Sequence, residues 1–132
     1  MGKIMRKCII ILVSIIMIMG LAGCEEQSMS YTQISMEEAR SLMEEETDYI
    51  ILDVRTVEEF AQKHIPDAIN IPNEMIGSEE LAELPNKNQL IFVYCRSGNR
   101  SKQASEKLAA LGYTKVYEFG GINDWTGETV SE

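Results

Sequence analysis

Leu90-Ile91-Phe92-Val93-Tyr94-Cys95-Arg96-Ser97-Gly98-Asn99-Arg100-Ser101 runs directly into Lys102-Gln103-Ala104-Ser105-Glu106-Lys107-Leu108-Ala109-Ala110-Leu111. The run from Leu90 to Tyr94 is continuously apolar and short, as in a strand buried on both faces. The stretch from Lys102 to Leu111 has helical composition and apolar spacing, and Gly112 ends it. Cys95 therefore stands where a strand hands over to a helix, on a loop with Gly98 and two arginines. Backbone N–H groups at a helix N-terminus point at any anion held there, and the helix dipole favours negative charge. Arginine adds fixed positive charge with several donors. Such a setting favours the thiolate, the nucleophilic form of the side chain. A free cysteine that ends an apolar strand also serves often as a small buried hydrophobe. Gly98, Arg96 and Arg100 at the turn favour chemistry over that reading.

On either side of this stretch, strand and helix patterns alternate. Tyr31 to Ile34 reads as a weak strand. Ser35-Met36-Glu37-Glu38 spells a capping box for a helix to about Glu46, with Ala39, Leu42 and Met43 on one face. The Glu44-Glu45-Glu46 run reads as the solvated end of that helix, badly placed against its dipole. Tyr49 to Val54 is a second apolar run, and Thr56 with Glu59 repeats the capping-box spacing before Val57, Phe60 and Ala61. Ala68 to Ile71 is a short strand closed by Pro72, and a helical turn is expected around residues 78–84. Val116 to Phe119 is the last strand, followed by Gly120-Gly121 and a turn holding Trp125. This alternation predicts an α/β domain with a mostly parallel central sheet flanked by helices. Ligands of such sheets sit at the carboxyl ends of strands, where Cys95 falls on a strand expected to be central.

The first residues read as an address. Lys3, Arg6 and Lys7 precede an apolar run from Cys8 to Met19, then Leu21-Ala22-Gly23-Cys24. Basic region, apolar region and small-residue cleavage site make a secretory signal. A retained membrane helix needs about 20 apolar residues, more than this run supplies. The tetrapeptide resembles the bacterial lipobox, which implies acylation of Cys24 and a domain held outside the cytoplasm by lipid. The expected organisation is a lipoprotein signal peptide over 1–23, a tether over 24–30, the domain over 31–127 and a tail over 128–132.

Removal of 23 residues from 132 leaves 109, enough for one small domain. It takes Lys3, Arg6 and Lys7 from 12 basic residues and leaves all 21 acidic ones, moving the formal charge from −9 to −12. So acidic a chain argues against nucleic acid and against a polybasic membrane patch. Cys8 leaves with the signal and Cys24 takes the lipid, so Cys95 becomes the lone thiol. In an exported, oxidising setting an unpaired cysteine is a liability unless it has a use.

Four stretches, in order, resemble the rhodanese-like sulfurtransferase domains. They are Asp53-Val54-Arg55 with Glu58-Glu59-Phe60, His64-Ile65-Pro66-Asp67-Ala68-Ile69-Asn70-Ile71-Pro72, Cys95-Arg96-Ser97-Gly98-Asn99-Arg100-Ser101, and Gly120-Gly121-Ile122-Asn123-Asp124-Trp125. The resemblance implies a three-layer fold and a sulfurtransferase that needs no cofactor and acts as a monomer. Cys95 would take the outer sulfur of an anionic donor such as thiosulfate or polysulfide, becoming a persulfide. It would then pass that sulfur to a thiol or cyanide-like acceptor. The N–H groups of Arg96, Ser97, Gly98, Asn99, Arg100 and Ser101 would cradle the persulfide. Arg96 and Arg100 would neutralise the incoming anion, and Arg100 would also brace the loop. The second stretch departs from the family by placing Lys63 and Asp67 where glycines usually stand.

His64, the sole histidine, is expected to pack the fold. Asp53 and Arg55, at a strand's carboxyl end, could touch substrate, though an ion pair or loop brace is the expected use. Trp125 is expected in the core or over the sheet edge, and no Cys and His cluster exists for zinc. Two rivals stand beside the enzyme. One is a module that carries or senses sulfur, or docks a partner, without turnover. The other is a cysteine phosphatase, whose loop has five residues between cysteine and arginine where this chain has four, Arg96 to Asn99. The shorter loop gives a tighter ring of N–H groups, suited to sulfur more than to phosphate.

Overall fold

A computed structural model describes residues 30–77 and 79–132. The expected signal peptide, Cys24 and the tether up to residue 29 lie outside the described residues. Five parallel strands form one sheet in the order β1-β5-β4-β2-β3. They are β1 (Thr32–Gln33), β2 (Tyr49–Asp53), β3 (Ile69–Asn70), β4 (Leu90–Cys95) and β5 (Lys115–Gly121). Three helices connect them: α1 (Met36–Glu45), α2 (Val57–Gln62) and α3 (Asn99–Ala110). The strand that ends in Cys95 is the middle one, as expected from its unbroken apolar run.

Alternate residues of the sheet feed two cores, which makes three layers. Leu52, Val54, Ile91, Val93, Cys95 and Val116 pack on one face with Ala104 and Leu108 of α3. Ile51, Phe92, Tyr94 and Phe119 pack on the other with Ala39 of α1 and Phe60 of α2. Both capping boxes form: the Ser35 side chain accepts the Glu38 N–H, and the Thr56 side chain accepts that of Glu59. They tie down the starts of α1 and α2, satisfying N–H groups that have no partner within the helix.

The helical turn expected near residues 78–84 shrinks to a single turn closed by the Leu84 N–H on the Leu81 carbonyl, at 3.0 Å. Pro85 disfavours helical backbone at Leu84, which is instead buried. A 3-10 helix forms earlier, over Asn73–Met75, just after Pro72. Helix α3 starts three residues before Lys102, because Gly98 turns the chain at φ 111° and frees Asn99 to begin it. Residues 128–132, expected as a tail, come back to the domain. The backbones of Val130 and His64 exchange two hydrogen bonds of 2.9 Å, and the Glu132 N–H reaches the Ala61 carbonyl at 3.0 Å. Among the described residues no helix is long and apolar enough to cross a membrane.

Candidate active site

Cys95 is the last residue of the central strand, 1% exposed. Its Sγ accepts the Gly98 N–H at 3.0 Å and lies 3.4 Å from Ser101 Oγ, within the first turn of α3. Gly98 makes this possible by taking φ 111°, left-handed backbone that an L side chain resists. The chain thereby folds back over its own sulfur. Gly121 is equally constrained: a Cβ there would overlap the Arg96 carbonyl and the Ser97 amide. The sheet shifts register at this point, pairing Cys95 with Gly121. The Asn123 N–H also donates to the Arg96 carbonyl at 3.2 Å, so the loop is clamped from the end of β5.

The two arginines of the loop part ways. Arg96 is exposed. Arg100 forms a fork with Glu59 of α2, Nη1 to Oε1 at 2.7 Å and Nη2 to Oε2 at 3.0 Å. The Arg100 hydrogen bond is the main reason the Glu59 carboxyl drops from 4.5 to about 2, and Glu59 in return raises Arg100. The expected brace is therefore present. The charge of Arg100 is already balanced by the Glu59 carboxylate, and Cys95 lies near enough to raise Arg100 further. Arg96 forms no ion pair among the described residues.

Asp53 and Arg55 pair with each other. Asp53 is fully buried, and Arg55 grips both of its oxygens through Nε and Nη2, at 2.7 to 3.1 Å. Arg55 also donates to the Lys63 carbonyl and sits over the Tyr94 ring, 5.8 Å from its centre. Burial, with Asp53 beside it, pushes the Tyr94 hydroxyl well up, so it stays neutral, and its oxygen accepts the Ile65 N–H at 3.1 Å. Arg55, Lys63 and Arg96, together with Glu59, line a cleft of about 200 Å³ beside the loop. Cys95 is not among the cleft's lining residues, and larger hollows lie away from the thiol.

His64 packs as expected. Its ring stacks on Phe60 at 3.8 Å between centres, with Nδ1 2.7 Å from the Phe60 carbonyl. Trp125 leans on Phe119 and carries Arg40 over its face. Lys63 and Asp67 are both exposed, and Asp67 holds φ 67°, left-handed backbone where a glycine would be free of strain. Among the described residues no three His, Cys, Asp or Glu side chains converge to hold a metal ion.

Two acidic residues of the site escaped the sequence reading. Glu59 was legible as a capping residue and as part of the first family-like stretch, with no partner assigned to it. Glu118 is fully buried behind the loop, its Oε1 2.7 Å from Ser101 Oγ and 2.8 Å from the Gly120 N. The available signal was strand alternation, which puts Glu118 on the same face as buried Val116.

Residues 35–128 match the family model described as the rhodanese-like domain. Thiosulfate sulfurtransferase PspE of Escherichia coli (strain K12) is 41% identical over 73 residues, 55% of this chain and 70% of that protein. YrkF of Bacillus subtilis (strain 168), which carries the name of a sulfur carrier protein, is 35% identical over 105 residues. That match takes in 79% of this chain and 56% of YrkF, so the chain spans little more than half of that relative. The solved structure of a rhodanese with anions from E. coli superposes with a TM-score of 0.58 at 39% identity, covering 64% of this chain and 99% of that one.

Proposed function

Because the chain belongs to the rhodanese-like domain family, we propose that it is a sulfurtransferase working through a persulfide on Cys95. The observation that carries this reading is the Gly98 N–H on Cys95 Sγ at 3.0 Å, at the carboxyl end of the central strand. A donor of that kind steadies negative charge on sulfur before and after transfer. Exposed Arg96, beside a cleft that also holds exposed Lys63, offers positive charge to an anionic donor. Thiosulfate-like anions and polysulfides fit that charge, and a thiol or cyanide-like acceptor can withdraw the outer sulfur. The thiolate attacks the sulfane sulfur, the donor's S–S bond breaks, and sulfite or a shortened polysulfide leaves with the electron pair.

The match to YrkF favours a second reading, a carrier that loads one sulfur and hands it to a partner. The two separate in one assay. An enzyme mixed with thiosulfate and cyanide makes thiocyanate continuously, and Cys95→Ser makes none. A carrier makes about one thiocyanate per loaded chain and stops. Thiocyanate from Cys95→Ser at the wild-type rate would sink both readings.

We further propose that the domain is exported and held to a bacterial membrane by lipid on Cys24, a reading supported by the Leu21-Ala22-Gly23-Cys24 sequence behind a basic and apolar lead. Lipid labelling should then vanish in Cys24→Ala. Persistent labelling of that variant overturns the anchor.

A further inference from the structure

We propose that Glu118 is a positioning residue that takes up the thiol proton of Cys95 through the Ser101 hydroxyl when the persulfide forms. This rests on the persulfide reading above and adds to it a place for the proton. Glu118 is fully buried in β5, and its Oε2 has no hydrogen-bond partner among the described residues. Its Oε1 lies 2.7 Å from Ser101 Oγ, and Ser101 Oγ lies 3.4 Å from Cys95 Sγ. The three groups form an unbroken line behind the loop, sealed from solvent at Cys95, Ser101 and Glu118 alike.

Ser101 has one hydroxyl proton and, with the Gly98 carbonyl at 2.9 Å and the Gly120 carbonyl at 3.3 Å also in reach, cannot donate it to Glu118 and Cys95 together. When Glu118 is ionised, that proton points to Oε1, and Ser101 offers Cys95 only a lone pair. The sulfur then keeps its own proton and donates to Ser101. When Cys95 is ionised, the Ser101 proton turns to Sγ, and a carboxylate at Oε1 would face oxygen lone pairs across 2.7 Å. A carboxylic acid resolves this by donating to Ser101, while still accepting the Gly120 N–H at 2.8 Å. The neutral form also leaves Oε2 as a carbonyl oxygen, whose missing partner costs less than that of a charged carboxylate. Two negative charges so close in a buried site oppose each other, and one shared proton keeps the pair at a single charge.

The steps balance. Cys95–SH and Glu118–COO⁻ become Cys95–S⁻ and Glu118–COOH, with Ser101 passing one proton and receiving another. The thiolate attacks the outer sulfur of thiosulfate, forming an S–S bond and releasing sulfite, while the proton stays on Glu118. Transfer of that sulfur to an acceptor regenerates the thiolate, and the proton returns through Ser101.

The test is infrared difference spectroscopy of the full domain before and after loading with thiosulfate, with intact mass read on the same sample. The expected result is one protonated-carboxyl band per added sulfur, moved by carboxyl-13C glutamate and absent in Glu118→Gln. Among the described residues Asp53 and Glu118 are the buried acids, so the glutamate label identifies the group even if the Gln variant fails to fold. A persulfide on Cys95 without that band, or with a band that survives in folded Glu118→Gln, overturns the relay alone. Absence of any added sulfur overturns the persulfide reading, and the relay with it.

Discussion

Arg100 and Glu59 join the cysteine loop to helix α2 through two parallel hydrogen bonds of 2.7 and 3.0 Å. The residues are 41 apart in sequence, so the pair fixes the start of α3 against an element formed much earlier in the chain. Glu59 is already held in place by its capping box with Thr56, so the brace is anchored at both ends. Replacing Glu59 by Gln should lower stability by about 1 kcal/mol, as for a partly exposed ion pair. Sulfur transfer should fall about tenfold or more as the loop loses alignment. Denaturation and thiocyanate assays on the variant check both.

The same pair sets an acid limb for stability. The Glu59 carboxyl is depressed from 4.5 to about 2, chiefly by the Arg100 hydrogen bond. A depressed carboxyl stabilises the fold above its unfolded value and loses that contribution as pH falls through its folded one. Stability from this pair should therefore be intact above about pH 4.5 and disappear toward pH 2. Urea midpoints measured across that window should fall less steeply for Glu59→Gln than for the wild type. Equal slopes would place the acid sensitivity elsewhere.

Gly121 lies against the loop so closely that a methyl group would overlap the Arg96 carbonyl and the Ser97 amide. Both obstacles are backbone, so relief requires the loop itself to move. Gly121→Ala should cost about 3 kcal/mol and abolish loading of Cys95, whereas Gly77→Ala, with open space around it, should leave loading unchanged. Alkylation of Cys95 by iodoacetamide reports the loop's displacement directly.

Asp53 is fully buried, and among the described residues Arg55 is the one charged side chain in hydrogen-bond contact with it. Arg55→Ala should lower stability by about 3–5 kcal/mol, since it strands a charge in the interior. Asp53→Asn with Arg55 intact should also destabilise, because the guanidinium loses its anion. If both variants unfold at the wild-type denaturant midpoint, the pair is not the brace described above.

Asp67 holds a left-handed backbone at φ 67° on an exposed turn. Glycine relieves the side-chain clash and gives back part of the gain as unfolded-chain entropy. Asp67→Gly should raise stability by up to about 1 kcal/mol, with sulfur transfer unchanged. Thermal unfolding checks it, and a lower midpoint would contradict the strain argument.

Much of this fold was legible because its signals are local. The two apolar runs became adjacent strands β2 and β4, and both capping-box spellings became helix starts. The handover at Cys95 needed only the order of an apolar run, Gly98 and a helical stretch. What stayed hidden depends on tertiary pairing. No local pattern says that Glu59 meets Arg100 or that Glu118 lies behind Ser101, since these contacts span 41 and 17 residues. The helical turn expected near residues 78–84 shortens for a local cause, Pro85, which disfavours helical backbone at Leu84. The contact of residues 128–132 with the domain was hidden because Val130 pairs through backbone atoms, which side-chain patterns do not report.

The most direct test of the account is the intact mass of the protein after incubation with thiosulfate, then after cyanide. Wild type should gain the mass of one sulfur and lose it to cyanide as thiocyanate, while Cys95→Ser should gain nothing. A sulfur adduct of equal yield on Cys95→Ser, or no adduct on folded wild type with thiosulfate or polysulfide, would contradict the central role assigned to Cys95.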